Sequence, residues 1–498
     1  MMVLEHLFNT AAKRQDKGCP MTIPAHRHNM LYVMSICCVA ALGGLLFGYD
    51  SSVISGAIEP LSQHYQLTPA ETGWAVSNVI IGCVVGCLIA GNLADRFGRK
   101  KILILTAVLF IASVAGTALA PDFTTFVFFR ILGGLGIGMA SVVSPVYIAE
   151  VAPKDYRGRA MTMHMICCVG GQVLVLITNY LIAKDATPQW LTETGWRWML
   201  GSAFVPCILF FIFVGFIPES PRWNVMAGRD ELALRTLTRI SSAEHARSVL
   251  REIQQSLQAR PDASPASERL RFNRRNMIFL VIGIGLAVFN QLTGINVIQY
   301  FGPSLLMNVT NNMQDAMFMT IWLAALQFAG VMVGMMLIDR VGRKILLLVG
   351  SLGSSVCLLV TFATFYFGVK GIPSVIGLFG FMFIFGATWA QVVWTVIGEI
   401  FPNRLRAAGM GFSIGAMWIS NFLVSQTFPM MNQNAWLTGN FHGGFPLLLF
   451  ALCSLLSWWF VHACLPETKG VALEKMEALI LDRFDAAADK KETLHTHP

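Results

Sequence analysis

The stretch Asp95-Arg-Phe-Gly-Arg-Lys100 decides the fold, because it recurs as Asp339-Arg-Val-Gly-Arg-Lys344, 244 residues later in a chain of 498. Two further pairs follow at nearly the same separation: Glu150 with Arg157 and Glu399 with Arg406, then Pro-Glu-Ser-Pro-Arg from Pro218 and Pro-Glu-Thr-Lys-Gly from Pro466. Signatures repeated in one order at one offset indicate a chain built from two related halves. In membrane proteins, such halves commonly form a binding site at the seam between them.

The composition is typical of a membrane-spanning chain. Apolar residues make up 55% of it, charged residues only 13%, and the mean hydropathy is +0.60. Apolar stretches of about 20 residues, enough to cross a bilayer, recur twelve times, six in each half. They lie at about 31–58, 72–94, 101–120, 124–148, 161–183, 198–217, 277–306, 314–338, 345–369, 373–400, 408–430 and 444–465. We therefore predict an all-α membrane protein with twelve transmembrane helices in two six-helix halves.

The spans divide the chain into five predicted segments. These are an N-terminal segment at 1–30, a first half at 31–217, an intracellular helical linker at 218–276, a second half at 277–465 and a tail at 466–498. The linker carries 11 arginines on helical patterns, so we expect short surface helices there. Binding of a lipid or a partner by a basic amphipathic helix is the alternative.

Lysine and arginine predict the orientation of the chain. Of 36 such residues, 32 fall on one side of the twelve-span topology. Lys184, Arg197 and Lys370 fall on the other side, and Arg130 lies inside a span. By the positive-inside rule the basic side is cytoplasmic, so both termini are expected inside the cell. The net charge of +8 is therefore a topology signal and predicts no nucleic-acid partner.

Two charged residues lie deep within the predicted spans of the first half, Asp50 in span 1 and Arg130 in span 4. Charges inside a bilayer are costly unless they are paired or hydrated, and they are functional candidates by default. If spans 1 and 4 touch, the carboxylate could gain or lose a proton when the arginine moves or water enters. A static ion pair that fixes helix packing is the alternative interpretation.

A second polar set inside the spans is uncharged and lies mostly in the second half. Amides offer donors and acceptors, and an indole offers a flat apolar face with one donor, which together suit a polyhydroxylated ring. The members are Gln172, Asn290, Gln291, Asn296, Gln327, Trp389, Gln391, Trp394, Trp418 and Asn421. A lone amide in a span more often serves a hydrogen bond between helices, so the prediction depends on their clustering.

Acidic and basic residues gather at the inner ends of the spans, where they are candidates for a cytoplasmic gate. The basic residues after Asp95 and Asp339 can reach Glu150, Glu399 or other acids. We expect salt bridges that form when the inner side is shut and break when it opens; anchoring of the topology is the alternative. The gate candidates are Asp95, Arg96, Arg99, Glu150, Arg157, Glu219, Arg222, Asp339, Arg340, Arg343, Glu399, Arg406 and Glu467.

The residues do not favour an enzyme, a metal site or a cofactor. His164 and His462 are isolated in their spans, and no nucleophile–base pair stands out. Ten of the eleven cysteines lie in or beside apolar spans without metal-ligand spacing, so we expect buried free thiols.

The repeated signatures resemble those of the sugar porter family of the major facilitator superfamily, over about 30–470. In the first half they are Gly91 to Lys100, Arg130 with Gly133-Gly134, Glu150 to Gly158, and Pro218 to Trp223. In the second half they are Gln291 to Asn296, Asp339 to Lys344, Glu399 to Pro402 with Arg406, and Pro466 to Gly470. Together they are far more specific than any one of them.

The resemblance implies roles for the polar residues by position. Gln172, Gln291 and Asn296 would be sugar-binding amides, with Trp394 and Trp418 as aromatic walls. These assignments apply to a site at the seam between the halves.

Further roles follow from the same resemblance. Trp389 matches a sugar-contacting tryptophan of a bacterial member, Phe47 would line the cavity, and Tyr300 would belong to an outer gate. Asp50 stands where proton-coupled bacterial members carry an aspartate and facilitative members carry an asparagine.

Three positions depart from the family pattern. The first residue of the usual Gln-Gln pair is Asn290, an Asn expected in span 8 is Gln327, and the Gly-Pro element of span 10 reads Trp389-Ala-Gln-Val. The substrate therefore stays open among pentoses, hexoses and cyclitols such as myo-inositol.

We expect a proton-coupled symporter of a monosaccharide, a pentose or hexose, that works by alternating access as a monomer in lipid, in a bacterial inner membrane. A symporter of myo-inositol or another polyol and a facilitative sugar uniporter are the near alternatives. A transport-inactive sugar sensor is a more remote alternative. Such receptors usually carry a long cytoplasmic tail, and the tail at 466–498 is short.

Overall fold

The computed structural model describes residues 29–153, 156–258, 273–310, 312–369, 372–402, 405–469, 476–481 and 483. Residues 1–28, the linker stretch 259–272, Lys370 and most of the tail lie outside this part of the chain, together with the predictions made for them. The regular secondary structure of the described residues is helical.

Twelve helical spans are long and apolar enough to cross a membrane, which confirms the predicted fold class. Those of the first half are α1 (Met30–Tyr65), α2 (Pro69–Phe97), α3 (Arg99–Ala118), α4 (Phe123–Val151), α5 (Arg157–Ala183) and α6 (Pro188–Phe216). The linker forms α7 (Pro221–Met226), α8 (Asp230–Ile240) and α9 (Ala243–Gln258).

The second half repeats the arrangement with two of its spans in pieces. Its helices are α10 (Arg274–Leu292), α11 (Ile295–Tyr300), α12 (Gly302–Thr310), α13 (Met313–Val341), α14 (Arg343–Tyr366), α15 (Ile372–Ala387), α16 (Trp389–Ile400), α17 (Arg406–Asn432), α18 (Ala435–Phe441) and α19 (Phe445–Cys464). The seventh span consists of α10 and α11, and the tenth consists of α15 and α16.

The sequence sets the start of α2 through a capping box. The Thr68 hydroxyl accepts from the Glu71 backbone N–H at 3.3 Å, and the Glu71 carboxylate accepts from the Thr68 backbone N–H at 2.8 Å. Pro69 occupies the first helical position, where its missing N–H costs nothing. Two donors that a helix start leaves unpaired are thus satisfied.

The seventh span breaks at Thr293-Gly294. Gly294 has φ +81°, in the left-handed region that other residues seldom adopt, and a Cβ there would collide with the Phe450 ring. The break separates α10 from α11, so it turns the amides on its two sides toward one region.

Small residues let α2 and α4 pack with their backbones in contact. A Cβ on Gly82 or Gly86 of α2 would overlap carbonyl oxygens of α4, and a Cβ on Gly134 or Gly138 of α4 would overlap carbonyl oxygens of α2. Glycines four residues apart on both helices are the usual basis of close packing in membranes. This packing holds α4, which carries Arg130, at a fixed distance from α2.

The halves join at one end of the bundle. We name the end that carries Asp95–Lys100 and Asp339–Lys344 the basic end. At the opposite end Gln426 of α17 donates to the Ala70 carbonyl of α2 at 2.9 Å, and Gln314 of α13 donates to the Ala183 carbonyl of α5 at 3.3 Å.

Toward the basic end the same helices are less crowded. A Cβ added to Gly91 of α2, or to Gly411 or Gly415 of α17, would meet no atom within 4 Å, and Phe412 is 50% exposed. The bundle is therefore closed at the end opposite the basic end.

Candidate functional site

The charged pair of the first half lies deep in the bundle. α1 and α4 pack together, and Nη1 of Arg130 donates to Oδ2 of Asp50 at 3.3 Å. The two residues are 2% and 5% exposed. Nε and Nη2 of Arg130 have no hydrogen-bond partner among the described residues. The guanidinium is thus held by one contact, and removing either partner would leave a buried group unpaired.

Gly133 makes room for the Ser113 hydroxyl beside the carboxylate. A Cβ at this position would lie 3.9 Å from Oδ2 of Asp50 and would collide with Oγ of Ser113. Ser113 in turn donates to the Phe129 carbonyl at 2.8 Å. A larger residue at position 133 would therefore press on α3 beside the ion pair.

The amides around the break of the seventh span form a chain of hydrogen bonds. Gln291 donates to the Asn290 side-chain oxygen at 2.9 Å, and Asn296 donates to the Gln291 side-chain oxygen at 2.6 Å. Asn290 donates to the Trp389 carbonyl at 3.4 Å. Asn290 and Gln291 are buried, whereas Asn296 is half-buried. Each amide keeps capacity for a further donor or acceptor, which a hydroxyl group could use.

Gln299 connects the two halves, although the sequence analysis did not select it. Its Nε2 lies 2.7 Å from Oε1 of Gln327 on α13 and 3.5 Å from Oε1 of Gln172 on α5. The signal was present in the sequence, because Gln299 lies three residues after Asn296 and shares its helix face. Gln172 and Gln327 thus meet through Gln299 at the seam.

The predicted aromatic and outer residues lie on helices that flank this seam. Asn421 of α17 accepts from Ser425 at 3.1 Å, and Tyr300 of α11 is buried. Trp418 is buried. Phe47 and Trp394 are half-buried.

Trp389 is placed differently from its prediction. Its side chain has no exposed surface, and its indole N–H lies 3.1 Å from both the Leu347 carbonyl and Oγ of Ser351 on α14. At 100° per residue, five positions along α16 turn Trp389 about 140° away from Trp394. We therefore do not retain Trp389 as a substrate contact.

Gln391 also packs within its own half. Its Nε2 donates to the Val331 carbonyl of α13 at 3.2 Å, and a Cβ on Gly334 would overlap this amide. α16 and α13 lie close together here. The amide of Gln391, which the sequence analysis assigned to the substrate, is used in this contact between the two helices.

The first-half basic-end cluster is centred on Arg99. Its Nη2 contacts Asp95 at 2.9 Å and Glu150 at 3.0 Å, and Nη1 donates to the Ala94 carbonyl at 3.1 Å. Glu219 accepts the backbone N–H groups of Arg99 and Lys100 at 2.9 and 3.1 Å. A carboxylate at this place offsets the positive end of the α3 dipole.

The second-half basic-end cluster repeats this geometry around Arg343. Its Nη2 contacts Asp339 and Glu399, each at 3.2 Å. Glu467 accepts the backbone N–H groups of Arg343 and Lys344 at 2.8 and 3.1 Å. The Pro-Glu motifs of the sequence thus supply the acids that cap α3 and α14.

The ion pairs of each cluster join residues of one half, and they are intact while the halves are joined at the opposite end. Among the described residues, no ion pair of either cluster crosses the seam. The breaking of these salt bridges when the inner side opens stays a prediction.

The remaining gate candidates stand apart from both clusters. Arg96 lies over the Phe97 ring at 5.2 Å, and Arg406 donates to the Phe401 carbonyl at 3.5 Å. Among the described residues, none of the ion pairs found includes the other three candidates, Arg157, Arg222 and Arg340.

The chain matches known transporters over nearly its whole length. The family model described as "Sugar (and other) transporter" matches residues 36–480. The D-xylose-proton symporter of Escherichia coli (strain K12) is 35% identical over 483 residues, covering 91% of this chain and 96% of that protein. The arabinose-proton symporter of Bacillus subtilis (strain 168) is 38% identical over 459 residues, covering 92% and 97%. The glucose facilitated diffusion protein of Zymomonas mobilis is 32% identical over 463 residues, covering 90% and 97%.

Solved structures agree with the fold. The inward open conformation of the xylose transporter XylE from E. coli superposes with a TM-score of 0.79 at 33% identity, covering 90% of this chain and 100% of that one. The proton:xylose symporter XylE bound to 6-bromo-6-deoxy-D-glucose gives 0.73 at 34% identity, covering 91% and 100%. The chain therefore belongs to the sugar porter family of the major facilitator superfamily, and it is a multi-pass membrane protein that transports sugar.

Proposed function

We propose that this protein couples the uptake of a monosaccharide, a pentose or hexose, to the entry of a proton through a bacterial inner membrane. The observation that carries the proposal is the buried Asp50–Arg130 pair, with its single 3.3 Å contact and two guanidinium nitrogens that have no hydrogen-bond partner among the described residues. Protonation would neutralise Asp50 and release Arg130 from this ion pair. The protonation state of Asp50 would thus determine how α1 packs against α4.

The sugar would bind at the seam, where amides of both halves meet. Gln299 reaches Gln327 in its own half and Gln172 across the seam, the latter at 3.5 Å. Hydroxyl groups of a sugar ring could replace this long contact and join the amide chain formed by Gln291 and Asn296. Binding would then draw the two halves together, as alternating access requires.

The basic end is cytoplasmic in this proposal, with both termini inside. The present conformation, joined at the opposite end, then corresponds to an inward-facing state. The intact clusters around Arg99 and Arg343 would act as braces that keep each half rigid while the halves rock.

The proposed coupling would allow accumulation against a gradient. A membrane potential of about 100 mV supplies about 2.3 kcal/mol for one charge, which corresponds to roughly a fiftyfold gradient. Uniport would supply none of this energy, and the similarity to a glucose facilitated diffusion protein makes it the second candidate.

Transport in proteoliposomes tests the coupling. Uptake of a pentose or hexose should raise the pH outside weakly buffered vesicles, and the Asp50→Asn variant should lose accumulation while it retains sugar exchange. A wild-type protein that transports sugar with no pH change would be a uniporter. A variant that still concentrates sugar would remove Asp50 from the coupling step.

A thermal-shift panel of pentoses, hexoses and inositols identifies the substrate. Stabilisation by myo-inositol alone would identify the substrate as a cyclitol and not a monosaccharide. The departures from the family pattern at Asn290 and Gln327 leave that choice open.

A further inference from the structure

A groove at the basic end lies outside both the sugar site and the two ion-pair clusters. It has a volume of about 590 Å³ and lies where the start of α3 meets the linker helices α7 and α8. This volume falls in the range of small-molecule sites, roughly 300–1,000 Å³. Its floor includes the buried side chains of Trp223, Asn224 and Thr236.

Five cationic side chains line the groove: Lys100, Lys101, Arg229, Arg235 and Arg239. Among the described residues, none of the ion pairs found includes any of them. Arg235 and Arg239 lie four residues apart on α8, a spacing at which like charges repel. Both side chains are exposed, so water screens this repulsion, and an anion that contacts both guanidinium groups would remove it.

The acid that lines the groove is outnumbered by these cations. Glu219, the acid that lines the groove, accepts backbone N–H groups of Arg99, Lys100 and Ser220 at 2.9–3.1 Å. Asp230, next to Arg229, accepts from Gln254 at 2.8 Å. The groove is thus lined by five cations and one carboxylate, and it retains an excess of positive charge.

The chemistry of the walls points to phosphate. Guanidinium groups present paired N–H donors that match phosphate oxygens, and Lys adds a compact charge. The volume exceeds what inorganic phosphate alone would fill. Ile104 and Leu232 give the groove an apolar side, so the ligand carries more than its phosphate.

We propose that this basic groove binds the phosphate group of a larger molecule, either a soluble phosphorylated sugar or the headgroup of an anionic phospholipid. An occupant would lie against Glu219 and so beside the Arg99 cluster that braces the first half. The proposal is independent of proton coupling, because binding is measured without any gradient.

The test uses two matched double variants of the full-length protein. Arg235→Gln with Arg239→Gln removes groove charges, whereas Arg247→Gln with Arg251→Gln removes two exposed arginines with the same spacing from α9, outside the groove. Titration of hexose 6-phosphate at constant ionic strength, with the unphosphorylated hexose as reference, probes a soluble ligand. Nanodiscs of phosphatidylglycerol against phosphatidylcholine probe a lipid, with the melting temperature as readout.

The groove variant should bind its phosphate ligand about a hundredfold more weakly, roughly tenfold for each arginine removed, while the α9 variant binds as the wild type does. Loss in the hexose phosphate arm identifies a soluble ligand, and loss in the nanodisc arm identifies a lipid. Both variants should melt as the wild type does without ligand. Absence of binding in both arms, or equal loss in the two variants, would overturn the proposal.

Discussion

Arg99 in the first half and Arg343 in the second make matching contacts with a glutamate of the same half, at 3.0 and 3.2 Å, yet their surroundings differ. The Glu150 side chain is 9% exposed and the Glu399 side chain 28%. In the first half, Trp223 of α7 donates to the Asp95 carbonyl at 2.9 Å and covers the cluster. In the second half Lys469, an exposed lysine, donates to the carbonyl of Arg340, the residue after the one that matches Asp95.

The same ion-pair motif therefore contributes a different free energy in each half, depending on how far water reaches it. Water screens an exposed ion pair and leaves a buried pair strong but costly to break. The halves differ further in the middle of the bundle, where the first carries the Asp50–Arg130 pair and the second carries mostly amides. The residue twenty positions before Glu150 is Arg130, and that before Glu399 is Phe379.

The largest effect should come from breaking the charge pair that only the first half has. Arg130→Ala leaves Asp50 buried without its partner, so we expect a loss of about 3–5 kcal/mol in unfolding free energy. Thermal melting in detergent measures it. Asp50→Asn, which keeps a polar group beside the arginine, serves as the milder reference; equal melting of Arg130→Ala and wild type would show that the pair is not structural.

The two clusters can be compared directly by removing their arginines. Arg99→Ala should cost about 3 kcal/mol, because Glu150 is left buried, whereas Arg343→Ala should cost about 1 kcal/mol, because water reaches Glu399. Melting temperatures of the two variants, taken side by side, provide the measurement. A larger loss for Arg343→Ala would reverse the ranking derived from exposure.

Substrate affinity should depend on the amide chain of the second half. Gln291→Ala removes the acceptor for Asn296 and the donor to Asn290, so we expect at least a tenfold loss of sugar affinity, about 1.4 kcal/mol. Gln391→Ala is the matched control, since its amide packs against α13. Sugar titration by calorimetry separates them, and an unchanged affinity in Gln291→Ala would exclude that residue from the site.

The smallest effect concerns Trp389. Trp389→Phe removes one N–H donor from the contact with α14, so stability should fall by about 1 kcal/mol while sugar affinity stays the same. Trp418→Phe provides the comparison at the seam. Weaker sugar binding in Trp389→Phe would restore the role that the family resemblance implied.

Much of the fold could be read from the chain because membrane spans are a local property. Each apolar run had to satisfy its own backbone as a helix, so the twelve spans followed from composition and length. The break at Gly294 was also local, since its backbone conformation excludes most other residues. The pairing of Asp50 with Arg130 was predicted only on the condition that spans 1 and 4 touch.

The direction in which side chains point could not be predicted from the local sequence. Trp389 and Gln391 had the residue types of a sugar site, but the rotation of α16 turned them into packing contacts with α14 and α13. Gln299 was overlooked because an amide in a span has no signature apart from its neighbours. Its role follows from the meeting of α11 with α5 and α13.

The sequence by itself determined the number of spans, the duplication of the halves and the family, since each depends on residue order alone. The tertiary structure decided that the basic-end ion pairs stay within their halves, that the bundle is joined at the opposite end, and that linker arginines surround a groove. These features depend on which helices become neighbours, and contacts between distant parts of the chain are set by packing in three dimensions.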